Sequence, residues 1–318
     1  MRIYVTGGNG FIGFRFIKYA LKQGHTVCAS IRGKMDINIY GLSQVSRESK
    51  MTIAGCDIRE YGDVLRSIAS FDPDLVVHFA AESHVAKSIE DPLSHIQTNI
   101  IGTHNMLSVC RDLKIMYGHM STCEVYGSSD VLINEEHPFH PNSPYAASKA
   151  GADALVQSYV ATYGMPAVIF RPANNYGGKQ HHEKMIPRFL HQAKTTGKIT
   201  VHGTGEQTRE WLYVEDCVSL MYETLMKAME DRSSHIFNVS NDDEKSVLAI
   251  AEVIASATGA DIEFIENRAG QVDRFALTNH KLAFFLKKPI TMGGLPSRHR
   301  ICDTSVLQHV KDLCLTDD

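Results

Sequence analysis

Residues 6–13 read TGGNGFIG, and this turn decides how the rest of the chain is read. It follows RIYVT (2–6), a run of apolar and β-branched residues, and it opens FIGFRFIKYALKQG (11–24), whose apolar residues recur at helical spacing. A strand that passes through Gly7, Gly10 and Gly13 into a helix brings its backbone close to whatever lies over the turn. The helix start then offers free N–H groups and the positive end of a dipole. In that context the glycines read as the diphosphate cradle of a dinucleotide-binding unit rather than as a bare turn.

Working outward, HTVCASI (25–31), DLVVHFA (74–80), KIMYGHM (114–120) and PAVIF (166–170) are further short strand-like runs. Amphipathic stretches such as SHIQTNIIGTHNMLSVCRDL (94–113) separate them. The alternation predicts an α/β fold, a Rossmann-type doubly wound parallel sheet covered by helices, with a smaller C-terminal substrate lobe. Residues 1–171 are expected to form the NAD(P)-binding domain, with later strands contributed from the C-terminal half, and residues 172–318 mainly the substrate-binding lobe. Past residue 171 the pattern loosens into Gly, Pro and charged loops, then recovers helices at 212–230 and 246–258.

Composition removes several classes. The 318 residues are 43% hydrophobic and 21% charged with a net charge of -4, which argues against a nucleic-acid or membrane-surface partner. No signal-peptide pattern precedes RIYVT, and the most apolar later run, VLAIAEVIASA (247–257), is broken by Glu252, so a cytoplasmic location is expected. Cysteines stand at 28, 56, 110, 123, 217, 302 and 314 without a C-x-x-C pair, so neither a disulfide framework nor a zinc site is expected, and all but Cys123 read as buried or incidental thiols. His181 and His182 lack further ligands at metal spacing, and no metal is expected.

The second strand-like run ends in Ile31 and Arg32, where an NAD-binding chain ordinarily has a carboxylate for the adenosine ribose. A guanidinium in its place favours NADP over NAD, although a solvated surface arginine looks the same. Asp57 is a candidate adenine contact. Further on, Tyr145 and Lys149 in SPYAASKAG stand four residues apart at the start of a helix, so both face one side. An ammonium beside a phenol favours the phenolate and brings it towards a useful base. With Thr122, the pair fits a site that takes a proton from a sugar or alcohol hydroxyl while hydride goes to a nicotinamide.

Six segments, TGGNGFIG, HFAAESHVAKSI, STCEVYG, SPYAASKAGADALV, NNYGGKQHHEKMIPRF and HGTGEQTREWLYVEDC, extend over residues 1 to about 240. Together they resemble the extended short-chain dehydrogenase/reductase family, and within it the dTDP-glucose 4,6-dehydratase group. The resemblance implies bound NAD(P), a nucleotide-sugar substrate and a homodimer built through a four-helix bundle. It implies an NDP-sugar dehydratase that oxidises C4, eliminates water across C5 and C6 and returns hydride to C6, giving a 4-keto-6-deoxyhexose. Cofactor contacts are implied at Gly7, Gly10, Phe11, Ile12, Gly13, Arg32, Asp57, Ile58, Ala80, Ala81, Tyr145 and Lys149. Thr122, Cys123, Glu124, Tyr145 and Lys149 are implied as catalytic, with Glu124 the base at C5.

STCEVYG (121–127) departs from the STDEVYG of that group, placing Cys123 where the general acid is an aspartate. A thiol is protonated at neutral pH and can still donate, or it is a small residue beside the working groups. The same stretch is similar to the UDP-N-acetylglucosamine 5,6-dehydratase of tunicamycin biosynthesis, in which hydride returns to C4, so that outcome and an NDP-sugar epimerase stay open. Substrate contacts are implied at Ser83, Asn175, Glu183 and Lys184 for the hexose and diphosphate, at Arg209 and Arg274 for the diphosphate and at Asn238 on the nucleotide side. Arg274 also reads as a surface ion pair. Past residue 280 the chain no longer follows the family ending.

Overall fold

A computed structural model describes residues 1–32, 41, 42, 45, 50–267, 270–290 and 305–315. Cys302 and residues 291–304 and 316–318 of the divergent ending lie outside the described residues. The chain divides into two compact units: residues 1–125, 143–171 and 218–237 in the first, and residues 126–142, 172–217 and 238–318 in the second.

The first unit carries the main sheet. Its strands are β1 (Arg2–Thr6), β2 (Thr26–Ile31), β3 (Met51–Gly55), β4 (Leu75–His78), β5 (Met116–Met120) and β6 (Ala167–Pro172). After β7 (Asn174–Tyr176), β8 (Lys198–His202) and β9 (Thr208–Tyr213), the strand β10 (His235–Val239) returns to it. The order is β10-β6-β5-β4-β1-β2-β3, and the neighbours from β6 across to β3 run parallel. This is the doubly wound topology expected, and its strand order reverses between β1 and β4. In doubly wound sheets ligands bind at that switch point, beyond the carboxyl ends of the strands. Tyr4, Val76, Tyr117 and Ile169 from the strands pack with Val64, Ile68, Met106 and Val156 from helices in one buried cluster.

All five strand-like runs lie in this sheet, while β3 and β10 escaped the sequence. β3 alternates poorly, with most of its residues exposed at the sheet edge. β10 is five residues set in the irregular C-terminal half. The helix Pro144–Tyr163 is well specified: Ser143 caps it by accepting from Ala146 N–H, Pro144 occupies the first turn and Gly164 closes it at φ 61°. The stretch Pro92–Asp112 is continuously helical but widens into a π turn over Ile96–Ile101.

In the second unit, β11 (Glu244–Ser246), β9 and β13 (Arg274–Phe275) form a small sheet that β7 joins by pairing with β9, and β12 (Asp261–Ile265) pairs with β8. Its core gathers Phe189, Trp211, Ile250 and Ile254. Of the helices recovered from the sequence, Val247–Thr258 lies in this unit, while Val214–Asp231 belongs mostly to the first. Cys28, Cys56, Cys110, Cys123 and Cys217 are buried free thiols and Cys314 is a partly buried one. Among the described residues no helix is long and apolar enough to cross a membrane.

Candidate active site

The glycine turn sits at the carboxyl end of β1, as its sequence requires. Gly7 has φ 63°, and a Cβ there would lie 2.8 Å from Ala80 N, so both the backbone conformation and the close approach to the end of β4 call for glycine. A Cβ at Gly13 would lie 2.3 Å from Gly7 O, which keeps the helix start pressed onto the turn. Thr6 fastens the two strand ends together, its Oγ1 accepting from Phe79 N and Ala80 N at 3.1 Å and bonding His78 Nδ1 at 2.7 Å. The helix Phe11–Lys22 begins at Gly10 with no side-chain cap and no acidic residue in its first turn. An uncapped positive helix end over a glycine turn suits a diphosphate, so Gly7, Gly10, Phe11, Ile12 and Gly13 fit the group they were expected to hold.

The other cofactor candidates divide. Ala80 and Ala81 lie on the loop after β4, with Ala80 against the turn. Asp57 is gripped by Arg59, at 2.6 Å for the shortest contact, and this hydrogen-bonded pairing holds its carboxyl below the usual range. The Ile58 side chain is buried in the core against Gly102, and its carbonyl accepts from Asn105. Arg32 does stand at the end of β2, but its Nη2 lies 3.0 Å from Glu82 Oε1.

The reactive groups converge within the first unit. β5 ends at Met120, and the chain continues through Ser121 and Thr122 into the single 3₁₀ turn Cys123–Tyr126. The helix Pro144–Tyr163 presents Tyr145 and Lys149 to this segment, one turn apart, both buried. Thr122 lies where it favours ionisation of the Tyr145 phenol, while the Glu124 carboxylate and the Cys123 thiol are close enough to oppose it. Burial and then the Glu124 charge hold the phenol well above the ordinary tyrosine range. Cys123 is 1% exposed.

Lys149 is anchored at the end of β5, where its Nζ donates to Met120 O at 2.5 Å. Burial draws Lys149 down to about 8, against the opposing pull of Asp153. Asp153 is itself forked by Arg171 at 2.8 and 2.9 Å in an almost fully buried pair. His78 and His119 face the lysine as neutral imidazoles: burial and then the Lys149 charge bring His78 to about 3 and His119 well below its ordinary value.

Sequence reasoning missed the residue that ties this cluster together. Asn99, in the π turn, accepts from Glu82 N at 2.9 Å and donates to Glu82 O at 3.0 Å and to Ser148 Oγ at 2.8 Å. Ser148 Oγ in turn donates to Tyr145 O at 2.7 Å. The available signal was an asparagine inside the apolar TNII of a helix, a residue that is costly to bury unless fully bonded.

The substrate candidates fare unevenly. Ser83 lies on the loop after β4, partly buried. In the second unit, Asn175 on β7 has a buried Oδ1 with no hydrogen-bond partner among the described residues. Glu183 is exposed near His181, and Lys184 precedes the helix Met185–Thr196. Arg209, Arg274 and Asn238 each have partners within the protein. Arg209 spends its donors on the carbonyls of Thr208 and Val272, both at 2.6 Å, and lies over the Phe275 ring. Arg274 forks Glu244 at 2.8 and 3.0 Å, the ion-pair reading. Asn238 is fully buried, accepting from Tyr126 and donating to Ile133 O. Backbone carbonyls and a carboxylate distant in sequence had already claimed these donors.

Comparison with known proteins agrees with this geometry. The GDP-mannose 4,6 dehydratase family model matches residues 4–288. The dTDP-glucose 4,6-dehydratase of Haemophilus influenzae is 35% identical over 268 residues, covering 80% of this chain and 78% of that relative. The low-salt glycan biosynthesis protein of Haloferax volcanii is 38% identical over 288 residues, covering 87% and 90%. Among solved structures, the dTDP-glucose 4,6-dehydratase of Streptomyces venezuelae, determined with NAD bound, superposes with a TM-score of 0.83 at 33% identity, covering 90% of this chain and 91% of that one.

Proposed function

The chain belongs to the GDP-mannose 4,6 dehydratase family, and on that premise we propose that it is an NAD(P)-dependent nucleotide-sugar 4,6-dehydratase, a hydro-lyase. The observation that carries this reading is the convergence of Thr122, Cys123 and Glu124 on the Tyr145 phenol. A dehydrogenase that only moves hydride needs an acid–base group at the oxidised carbon. A carboxylate placed beside that group adds a second proton-transfer site, which elimination from the next carbon requires.

The dinucleotide, when bound over the glycine turn, supplies a hydride acceptor for oxidation at C4 and a donor for reduction at C6. The remaining steps belong to this chain. Tyr145, positioned by Thr122, takes the C4 hydroxyl proton. The C4 ketone acidifies the C5 hydrogen, and Glu124 removes it. The Cys123 thiol gives its proton to the C6 hydroxyl, which leaves as water. Asn175, with its desolvated and unpartnered Oδ1, is suited to a sugar hydroxyl, and Ser83, Glu183 and Lys184 are proposed as further hexose contacts.

The test is product NMR after incubation of the purified protein with a panel of NDP-hexoses. A 6-methyl signal on a 4-keto sugar is the expected result. An exocyclic methylene would instead place hydride return at C4, an inverted C4 would indicate epimerisation, and unchanged substrates throughout would refute the dehydratase reading.

We also propose a homodimer through the two long helices. Leu93, Ile96 and Ile101 expose 44–59% of their surface along the helical stretch Pro92–Asp112, while Ala147, Gly151, Ala154 and Ser158 put small residues along the outer side of Pro144–Tyr163. A bulky apolar stripe and a small-residue stripe suit close helix packing. Sedimentation is expected to give the mass of two chains, and Leu93→Glu to give that of one.

A further inference from the structure

We propose that Glu82 sets the choice between NAD and NADP, by holding Arg32 away from a 2′-phosphate and supplying the carboxylate that β2 lacks. The inference rests on the dinucleotide reading above and goes one step beyond it.

β2 ends at Ile31 without the acidic residue that ordinarily receives the ribose hydroxyls, and Arg32 follows directly. Taken alone, that exchange describes a phosphate-accepting site. The fold alters it by bringing in a residue fifty positions away: Arg32 Nη2 bonds Glu82 Oε1 at 3.0 Å. The arginine side chain is 51% exposed and the glutamate 26%, so the pair contributes little to stability. What gives it consequence is its anchoring. The Glu82 backbone is held at both its N–H and its carbonyl by the Asn99 amide, and Asn99 is 1% exposed. The carboxylate therefore projects from a fixed segment, whereas the guanidinium reaches it from the end of a strand. Among the described residues Asp57 is a second carboxylate acting near Arg32, but it is forked by Arg59.

This arrangement discriminates by charge. A 2′-phosphate that draws Arg32 from Glu82 leaves a fixed carboxylate beside a dianion, whereas a 2′-hydroxyl can donate to that carboxylate without displacing anything. With Glu82 neutralised, Arg32 becomes available to the phosphate and the like-charge opposition disappears.

The full-length protein is incubated with equimolar NAD and NADP, desalted, and its bound dinucleotide ratio read by mass spectrometry. Glu82→Gln is expected to raise the NADP:NAD ratio about tenfold over the unsubstituted protein, and adding Arg32→Ala to that variant should return the ratio to its starting value or below. Arg32→Ala alone should lower it. A Glu82→Gln ratio within twofold of the starting value, with both dinucleotides retained, overturns the proposal, and so does a fall. If the unsubstituted protein retains neither dinucleotide, it is the underlying cofactor reading that fails.

Discussion

Tyr145→Phe is expected to lower turnover by about 10²–10⁴-fold while leaving the fold and the bound dinucleotide in place. Phenylalanine fills the same buried volume on the helix Pro144–Tyr163 and loses only the hydroxyl that Thr122 engages. Burial and the Glu124 carboxylate keep this phenol protonated on its own, so accepting the C4 proton depends on positive charge elsewhere in the site. Lys149 is the chain's own source of that charge, although its ammonium is bonded to Met120 O and acts across the site.

Because burial lowers Lys149 to about 8, the ammonium is present below that pH and is lost as pH rises through it, and the rate is expected to fall over the same interval. The groups facing the lysine preserve this sign. Asp153 on its own helix is paired with Arg171 from β6, and His78 and His119 from β4 and β5 are neutral. Turnover by product NMR and dinucleotide content by mass spectrometry check both statements. More than a tenth of normal turnover in Tyr145→Phe would remove the phenol from the reaction.

The parts of this molecule that could be read from its sequence are those encoded by local spacing. The glycine turn occupies eight consecutive residues, Tyr145 and Lys149 lie one helical turn apart, and Thr122, Cys123 and Glu124 are adjacent, so a strand and a helix position each group without help from elsewhere. The strands legible from sequence are those buried on both faces. β3, at the sheet edge, exposes most of its residues and lost its apolar signature.

What escaped depends on partners far apart in the chain. Arg32 looked available until Glu82 met it, and Arg274 until Glu244 did. Lys149 was expected beside the phenol because i,i+4 residues share a helix face. That spacing fixes a common direction, and the Met120 carbonyl where β5 stops anchors the ammonium. Asn238 carries the type of side chain expected at a nucleotide site, yet Tyr126 and Ile133 occupy both ends of it.

Glu124→Gln is expected to separate oxidation from elimination, which Tyr145→Phe cannot do. The substitution removes the base proposed for C5 and is expected to reduce formation of the 4-keto-6-deoxy product by about 10²–10⁴-fold. It also removes one of the two main causes that push the Tyr145 phenol upward, so proton removal at C4 becomes no harder and oxidation there should continue. The distinguishing measurement is solvent deuterium at C5: the unsubstituted enzyme incorporates it, and Glu124→Gln leaves C5 protonated on a sugar already oxidised at C4. Cys123→Asp acts on the other side of the same step. If the thiol serves as the acid, a carboxyl in its place preserves the 6-methyl product, and the C5 exchange of Glu124 is untouched. Product formation and C5 exchange that both survive in Glu124→Gln would move the base to another residue, and the argument from a carboxylate beside the phenol would lose its foundation.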